Sequence, residues 1–302
     1  MLQAQRFSRN LKELRTVGER RAGPEEKSTT LRSGVAWTDE NAPLIPVPDA
    51  FGKLRAIARA IPLLAGILIL LIILLILRVI ERPLMGERRP LTLPIKLWGC
   101  RWALFCMGLR LETRGKDSHH AGAVVANHAS WLDIFVLGAA AGVTFVSKAE
   151  VARWPLIGPL ARLTGTLFIT RDPRAAQAQV DLMRARFAAG QRLLFFPEGT
   201  STDGQRVLPF RTTLFASICA VHSQQPIWVQ PISVRYIAPA GADPRFYAWY
   251  GTMGFAPHFL AMLAQRKHGF VRVTFHPPIP VTDNSDRKTL AAAAEAAVRS
   301  GL

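Results

Sequence analysis

A chain of 302 residues, 49% of them apolar, holds enough material for one large domain or two ordinary ones, which excludes both a disordered tail and a disulfide-dependent miniprotein. Its 38 basic and 21 acidic side chains leave a net charge of +17, which favours a polyanionic partner, either nucleic acid or anionic lipid. Three cysteines, Cys100, Cys106 and Cys219, cannot pair evenly and no Cys/His cluster has zinc-ligand spacing, so a reduced compartment is the natural reading.

Residues 1–58 are rich in Arg, Glu, Ser and Pro with little apolar periodicity, and are expected to form a basic, mobile tail. Residues 59–80 follow as a hydrophobic helix. Within them Ala60–Leu77 carries no charge, and as a helix it reaches about 27 Å, close to the hydrocarbon thickness of a bilayer. That stretch either crosses the membrane or enters and leaves by one face. A soluble core helix rarely excludes every polar side chain over this length, and a cleaved signal peptide does not start some sixty residues in. Residues 81–109 are read as a linker and an interfacial helix. Glu81–Pro94, with its prolines and arginines, suits a strand of chain on phospholipid headgroups, and Ile95, Trp98, Trp102, Phe105 and Leu109 recur at steps of three and four. That apolar stripe serves equally for insertion or for packing on the domain that follows.

From residue 110 to 302 short apolar runs alternate with turns and helical stretches, which is an α/β pattern. Strands are expected at Ala123–Ala126, Val143–Ser147, Leu167–Thr170, Arg192–Phe196, Ile227–Val234 and Val271–Phe275. The clearest helix is Arg174–Ala189, stopped by Gly190. Neither G-x-x-x-x-G-K-[ST] nor G-x-G-x-x-G occurs, so a nucleotide phosphate loop is unsupported.

Three stretches can carry chemistry. The first is Val124-Val125-Ala126-Asn127-His128-Ala129-Ser130-Trp131-Leu132-Asp133, a buried strand running into polar residues. On one continuous helix His128 and Asp133 would diverge by about 140°. A helix start at Ser130, with its hydroxyl as cap, leaves His128 in the turn and free to meet the carboxylate. Such a pair makes a general base, and amides at the helix start would lie near developing negative charge. A structural histidine beside a helix cap is the other reading of the same spacing. The second stretch, Pro197-Glu198-Gly199-Thr200-Ser201-Thr202-Asp203-Gly204, follows a strand and offers hydroxyls, an acceptor and a close backbone approach. It lacks the final glycine of a nucleophile elbow, which argues against a serine hydrolase. The third, Gly165–Arg171, ends a strand on a guanidinium suited to an anionic group, and Arg211 offers the same chemistry.

Together these stretches resemble the motif blocks of the glycerolipid acyltransferase family, which includes the 1-acylglycerol-3-phosphate acyltransferases. Asn127-His128-x-Ser130-x-x-Asp133, Gly165–Arg171, Phe196-Pro197-Glu198-Gly199-Thr200 and Val229-Gln230-Pro231-Ile232 stand in the family's order. The resemblance implies a single domain with a mixed sheet flanked by helices, preceded by the membrane helix and the interfacial helix. It implies that His128 deprotonates the hydroxyl of a lysolipid, that Asp133 orients His128, and that the hydroxyl attacks the thioester of acyl-CoA or acyl-carrier protein. It further implies that Asn127, Ser130, Arg171, Glu198, Gly199, Thr200 and Arg211 bind substrate, and that no metal, cofactor or acyl-enzyme takes part. The acceptor so implied is 1-acyl-sn-glycerol-3-phosphate, giving phosphatidic acid at the inner membrane with the catalytic domain cytoplasmic. One departure stands against it: Ser201 follows Gly199-Thr200 where an arginine is usual. The run through Asp203-Gly204, Leu208-Pro209-Phe210 and Trp249-Tyr250-Gly251 resembles the lyso-ornithine lipid acyltransferase branch. A basic membrane adaptor or nucleic-acid binder rests on charge alone, with no basic motif interleaved with aromatics.

Overall fold

The computed structural model describes residues 43–86, 90–154, 157–170, 172–221 and 226–302; most of the expected tail and Arg171 lie outside them. The first helix, α1 (Ala50–Met85, 36 residues), starts on Asp49, whose Oδ1 accepts the Gly52 amide at 2.7 Å. It is far longer than the expected 59–80. Residues 50–59 mix charged and apolar good helix formers, so hydropathy sees only the uncharged centre. The segment expected as a linker is largely helical too, since α1 runs to Met85 and α2 (Thr92–Met107) begins soon after.

The two helices form an antiparallel hairpin. Glu81 closes it, accepting from the amides of Leu91 (2.8 Å) and Thr92 (3.1 Å) and from the Thr92 hydroxyl (2.6 Å). Glycines let the helices approach: a Cβ on Gly66 would stand 2.2 Å from the Trp102 indole nitrogen, and one on Gly99 2.6 Å from Leu70. Further along, Trp102 donates to the Pro62 carbonyl at 3.3 Å. The expected apolar stripe is divided, with Trp102 and Leu109 packed against the core. Trp98 and Phe105 point outward, whereas Lys96 is buried and donates to the Val143 carbonyl, alongside Cys100, Ala103, Leu104 and Met107.

An eight-stranded mixed sheet follows: β1 (Arg110–Arg114), β2 (Gly122–Ala126), β3 (Thr144–Lys148), β4 (Leu167–Ile169), β5 (Arg192–Phe195), β6 (Ile227–Ile237), β7 (Phe270–Phe275) and β8 (Ile279–Val281). The order is β1-β7-β6-β2-β5-β3-β4, with β8 on β6; β6 pairs antiparallel with β7 and β8, and the other pairs are parallel. The intervening helices are α3 (Asp133–Ala140), α4 (Ile157–Leu163), α5 (Ala176–Ala188), α6 (Thr212–Cys219), α7 (Phe255–Ala264) and α8 (Arg287–Arg299).

Alternation in the strands feeds two cores. Val124, Ala126, Leu194, Ile232 and Val234 join one core with residues of α1, α2, α3 and α7. Ala123, Val125, Leu193, Phe195 and Val229 join the other with α5, α6 and α8. The central parallel strands β2 and β5 lie side by side and end together at Ala126 and Phe195, which brings the two polar stretches that follow them to one edge of the sheet.

Candidate active site

The backbone after β2 turns before α3 begins, and His128 sits in that turn. Its Nδ1 lies 2.7 Å from Asp133 Oδ2, so the five-residue spacing is bridged as the helix start requires. The capping arrangement differs from the expectation. Leu132 is the N-cap and bonds through no side chain; instead Asp133, the first helical residue, reaches back and accepts from the amides of Ala129 (2.9 Å) and Ser130 (3.1 Å) on Oδ2. Those two amides are therefore spent on Asp133 rather than aimed at a developing oxyanion. The Ser130 hydroxyl is buried without a hydrogen-bond partner among the described residues and does not cap the helix.

Asp133 is fully buried, and its second oxygen accepts from the Tyr236 hydroxyl at 2.6 Å. The carboxylate must sit on the Nδ1–H side, which fixes the tautomer with Nε2 unprotonated. No described group bonds to Nε2, and the side chain keeps 24% of its surface exposed. One face of the imidazole lies flat on Phe196, with ring centroids 4.1 Å apart and planes 15° apart. The imidazole thus has one nitrogen held and the other open, the geometry a general base needs.

Glu198, expected to contact substrate, is buried and turned toward the backbone. Oε1 accepts the His128 amide at 2.7 Å and Oε2 the Leu208 amide at 2.8 Å, so this carboxyl ties the loop after β5 to the loop after β2. Burial pushes it up to about 8, against the pull of those two amides. Asn127 also serves the backbone, for its side-chain amide donates to the Val234 carbonyl at 2.9 Å and accepts the Val234 N–H at 2.8 Å, pinning β6 beside β2. Neither side chain reaches outward.

Gly199 adopts φ +75, and a Cβ there would meet the Arg211 guanidinium Nε at 2.8 Å. Arg211 is brought there by pairing of its own amide with the Pro197 carbonyl at 3.0 Å. It has no carboxylate partner among the described residues. Thr200 is half-buried. Arg171 lies outside the described residues.

Three groups stand around the site in places that the sequence reading did not assign to them. Tyr236 could have been found from alternation, because Ile232, Val234 and Tyr236 share the face covered by α3. Phe196 was visible only as part of a motif. The segment before α7 was visible only as the motif Trp249-Tyr250-Gly251, with no hint of its contact: the Trp249 amide donates to the Ala129 carbonyl at 2.8 Å and closes the turn that holds His128 from outside. Among the described residues no three His, Cys, Asp or Glu side chains gather to hold a metal.

Residues 110–235 match the family model described as Acyltransferase. Over 270 residues the chain is 50% identical to a protein of Rhodobacter capsulatus named lyso-ornithine lipid O-acyltransferase, covering 88% of this chain and 96% of that one. The chain belongs to the glycerolipid acyltransferase family. It is an enzyme of acyl transfer to lysolipids. A 1-acyl-sn-glycerol-3-phosphate acyltransferase of Neisseria meningitidis is 30% identical over 66% of this chain and 77% of its own length. The fold of this acyltransferase also matches the crystal structure of the 1-acyl-sn-glycerophosphate acyltransferase PlsC of Thermotoga maritima, with a TM-score of 0.58 and 19% identity, over 83% of this chain and 95% of that one. The expected mixed sheet flanked by helices is thus the family's fold.

Proposed function

We propose that this acyltransferase moves a fatty acyl group from acyl-CoA or acyl-carrier protein to the hydroxyl of a lyso-ornithine lipid at a membrane surface, giving ornithine lipid. The observation that carries the acceptor is the 50% identity, along nearly the whole length of both chains, to the relative of that name. Ser201, in the place of an arginine suited to phosphate, points the same way. This reading replaces lysophosphatidate, the acceptor that the motif blocks alone suggested, which only relatives at about 30% identity support.

In this mechanism Nε2 of His128 takes the proton of the acceptor hydroxyl as its oxygen attacks the thioester carbonyl. The Asp133 carboxylate on Nδ1 stabilises the imidazolium so formed. Collapse of the tetrahedral intermediate breaks the carbon–sulfur bond, and the proton on Nε2 passes to the departing thiolate. The Phe196 ring and the Glu198 tie hold the imidazole in place, while Arg211 beside Gly199 is the candidate for the headgroup's carboxylate. Tyr236 enters through Asp133.

The test offers the purified full-length enzyme both lysolipids in competition, with either thioester donor, and identifies products by mass. Ornithine lipid should dominate by at least about tenfold, a discrimination worth about 1.4 kcal/mol; an excess of phosphatidic acid overturns the acceptor. His128→Ala should lower transfer to either acceptor by a factor of about 10³ or more, and near wild-type turnover in that variant overturns the base.

A further inference from the structure

The pairing of His128 with Asp133 leaves one carboxylate oxygen to be accounted for, and β6 supplies its partner. Asn127 clamps Val234 through both the nitrogen and the oxygen of its side-chain amide, which fixes β6 lengthwise against the end of β2. Tyr236, two residues on, projects from the same face of the strand as Val234. Its hydroxyl reaches Asp133 Oδ1 at 2.6 Å in a site closed to solvent. Asp133 then accepts four donors: the His128 ring nitrogen and two amides on Oδ2, and the phenol on Oδ1.

We propose that Tyr236 is a positioning residue for acyl transfer, its hydroxyl fixing the rotation and charge of the Asp133 carboxylate and thereby the basicity of His128. This rests on the assignment of His128 as the base. Burial pushes the Tyr236 hydroxyl well above its ordinary value, so it stays a donor through any assay range. While it donates, it withdraws charge from the carboxylate. Without it, Oδ1 is left without a donor in a dry site, the charge concentrates toward Nδ1–H, and the imidazolium is held more tightly.

Tyr247 provides the control. Its ring lies 5.7 Å from that of Tyr236, but its hydroxyl accepts the Gly269 amide at 3.0 Å and meets His268 Nδ1 at 3.1 Å, away from Asp133. Removing either hydroxyl costs a buried hydrogen bond; only one removal alters the carboxylate.

The experiment measures log kcat/KM against pH for the full-length enzyme and for Tyr236→Phe, Tyr247→Phe and His128→Ala, with melting temperatures for each. Tyr236→Phe should lower kcat about 10- to 100-fold with acceptor KM within about twofold, and should move the acidic limb of the profile up by about half a unit or more. Tyr247→Phe should lower the melting temperature and leave the limb in place. Should Tyr236→Phe fail to fold, 3-fluorotyrosine at position 236 keeps the ring and makes a stronger donor, which should move the limb down. An unmoved limb in both Tyr236 replacements, or Tyr236→Phe indistinguishable from Tyr247→Phe, overturns the inference. If His128→Ala is inactive while Tyr236→Phe is wild type, this inference alone fails; if His128→Ala is active, the base assignment fails.

Discussion

Glu198 holds the backbone of His128 in place, and its burial makes that support sensitive to pH. Its carboxyl ordinarily ionises near 4.5 and is held up to about 8 in the folded chain. The folded state therefore keeps a proton that the unfolded state gives up, so this group's contribution is full below about 4.5 and is lost as pH rises through about 8. The melting temperature should fall as pH is raised from 5 to 8.5. Glu198→Gln should flatten that part of the dependence and cost activity, because an amide NH2 would face one of the two backbone N–H groups. A melting temperature that fell equally steeply in Glu198→Gln would show that other groups carry the dependence. The meeting of His128 with Asp133 was legible because a histidine and a carboxylate five apart can touch only across a helix start. Its details were not: Asp133 itself takes the amides that a Ser130 cap was expected to serve. Nor could residue types alone show that Glu198 would choose the amides of His128 and Leu208, since any carboxylate in a Pro/Gly turn can face solvent instead.

Elements announced themselves in proportion to their apolar contrast. β2, β5 and β6 are buried runs and were found to within a residue or so at their starts, while β1 was missed because Arg110, Glu112 and Arg114 give an edge strand no apolar signal. Glu112 binds Arg272 on the neighbouring strand at 3.1 Å, a pairing that only the assembled sheet reveals. For α1 the composition left two topologies, and its contacts favour one of them. Near its start, Arg55 donates to the Ala264 carbonyl at 2.8 Å and Arg59 to those of Leu263 (2.8 Å) and Gln265 (2.7 Å), at the end of α7. Its far end is tied through Glu81 to α2, and α2 lies on the domain through Lys96, with Arg101 donating to the Ala139 carbonyl at 3.2 Å. A helix of about 54 Å tethered at both ends runs alongside the domain instead of leaving it, so it should lie within one leaflet. Single cysteines at Leu44 and Leu84, in a Cys219→Ser background, should both react with an impermeant maleimide from the same side of sealed vesicles. Protection of one of them until the vesicles are opened would mean that α1 crosses.

For the whole molecule, the hairpin and the catalytic turn form one continuous structure. α1 holds α7, and α7 presents Phe255 and Phe259 to Trp131 at centroid distances of 5.3 and 5.7 Å, three residues from His128. A membrane that receives the hairpin therefore lies close to His128, which suits an acceptor whose tail is already in the bilayer. Two forces act toward that surface, and they differ in reach. The net charge of +17 attracts anionic lipid, at about 1 kcal/mol for each basic side chain near the headgroups, but salt at 1 M screens it beyond about 3 Å. Leu64, Leu68, Ile72, Ile76, Val79 and Trp98 are each at least half exposed, and burying such side chains in hydrocarbon contributes on the order of 1 kcal/mol apiece, independent of salt. The apolar term should dominate at high ionic strength, so the protein should sediment with anionic vesicles in 1 M NaCl. Leu68, Ile72 and Ile76 recur every four residues on one face of α1, and each Asp placed there costs about 2.5–3.5 kcal/mol of insertion. The triple variant Leu68→Asp, Ile72→Asp, Ile76→Asp should be released by 1 M NaCl yet stay bound at low salt, where its remaining positive charge still acts. Release of the unaltered protein by salt alone would make charge, not the hairpin, the anchor.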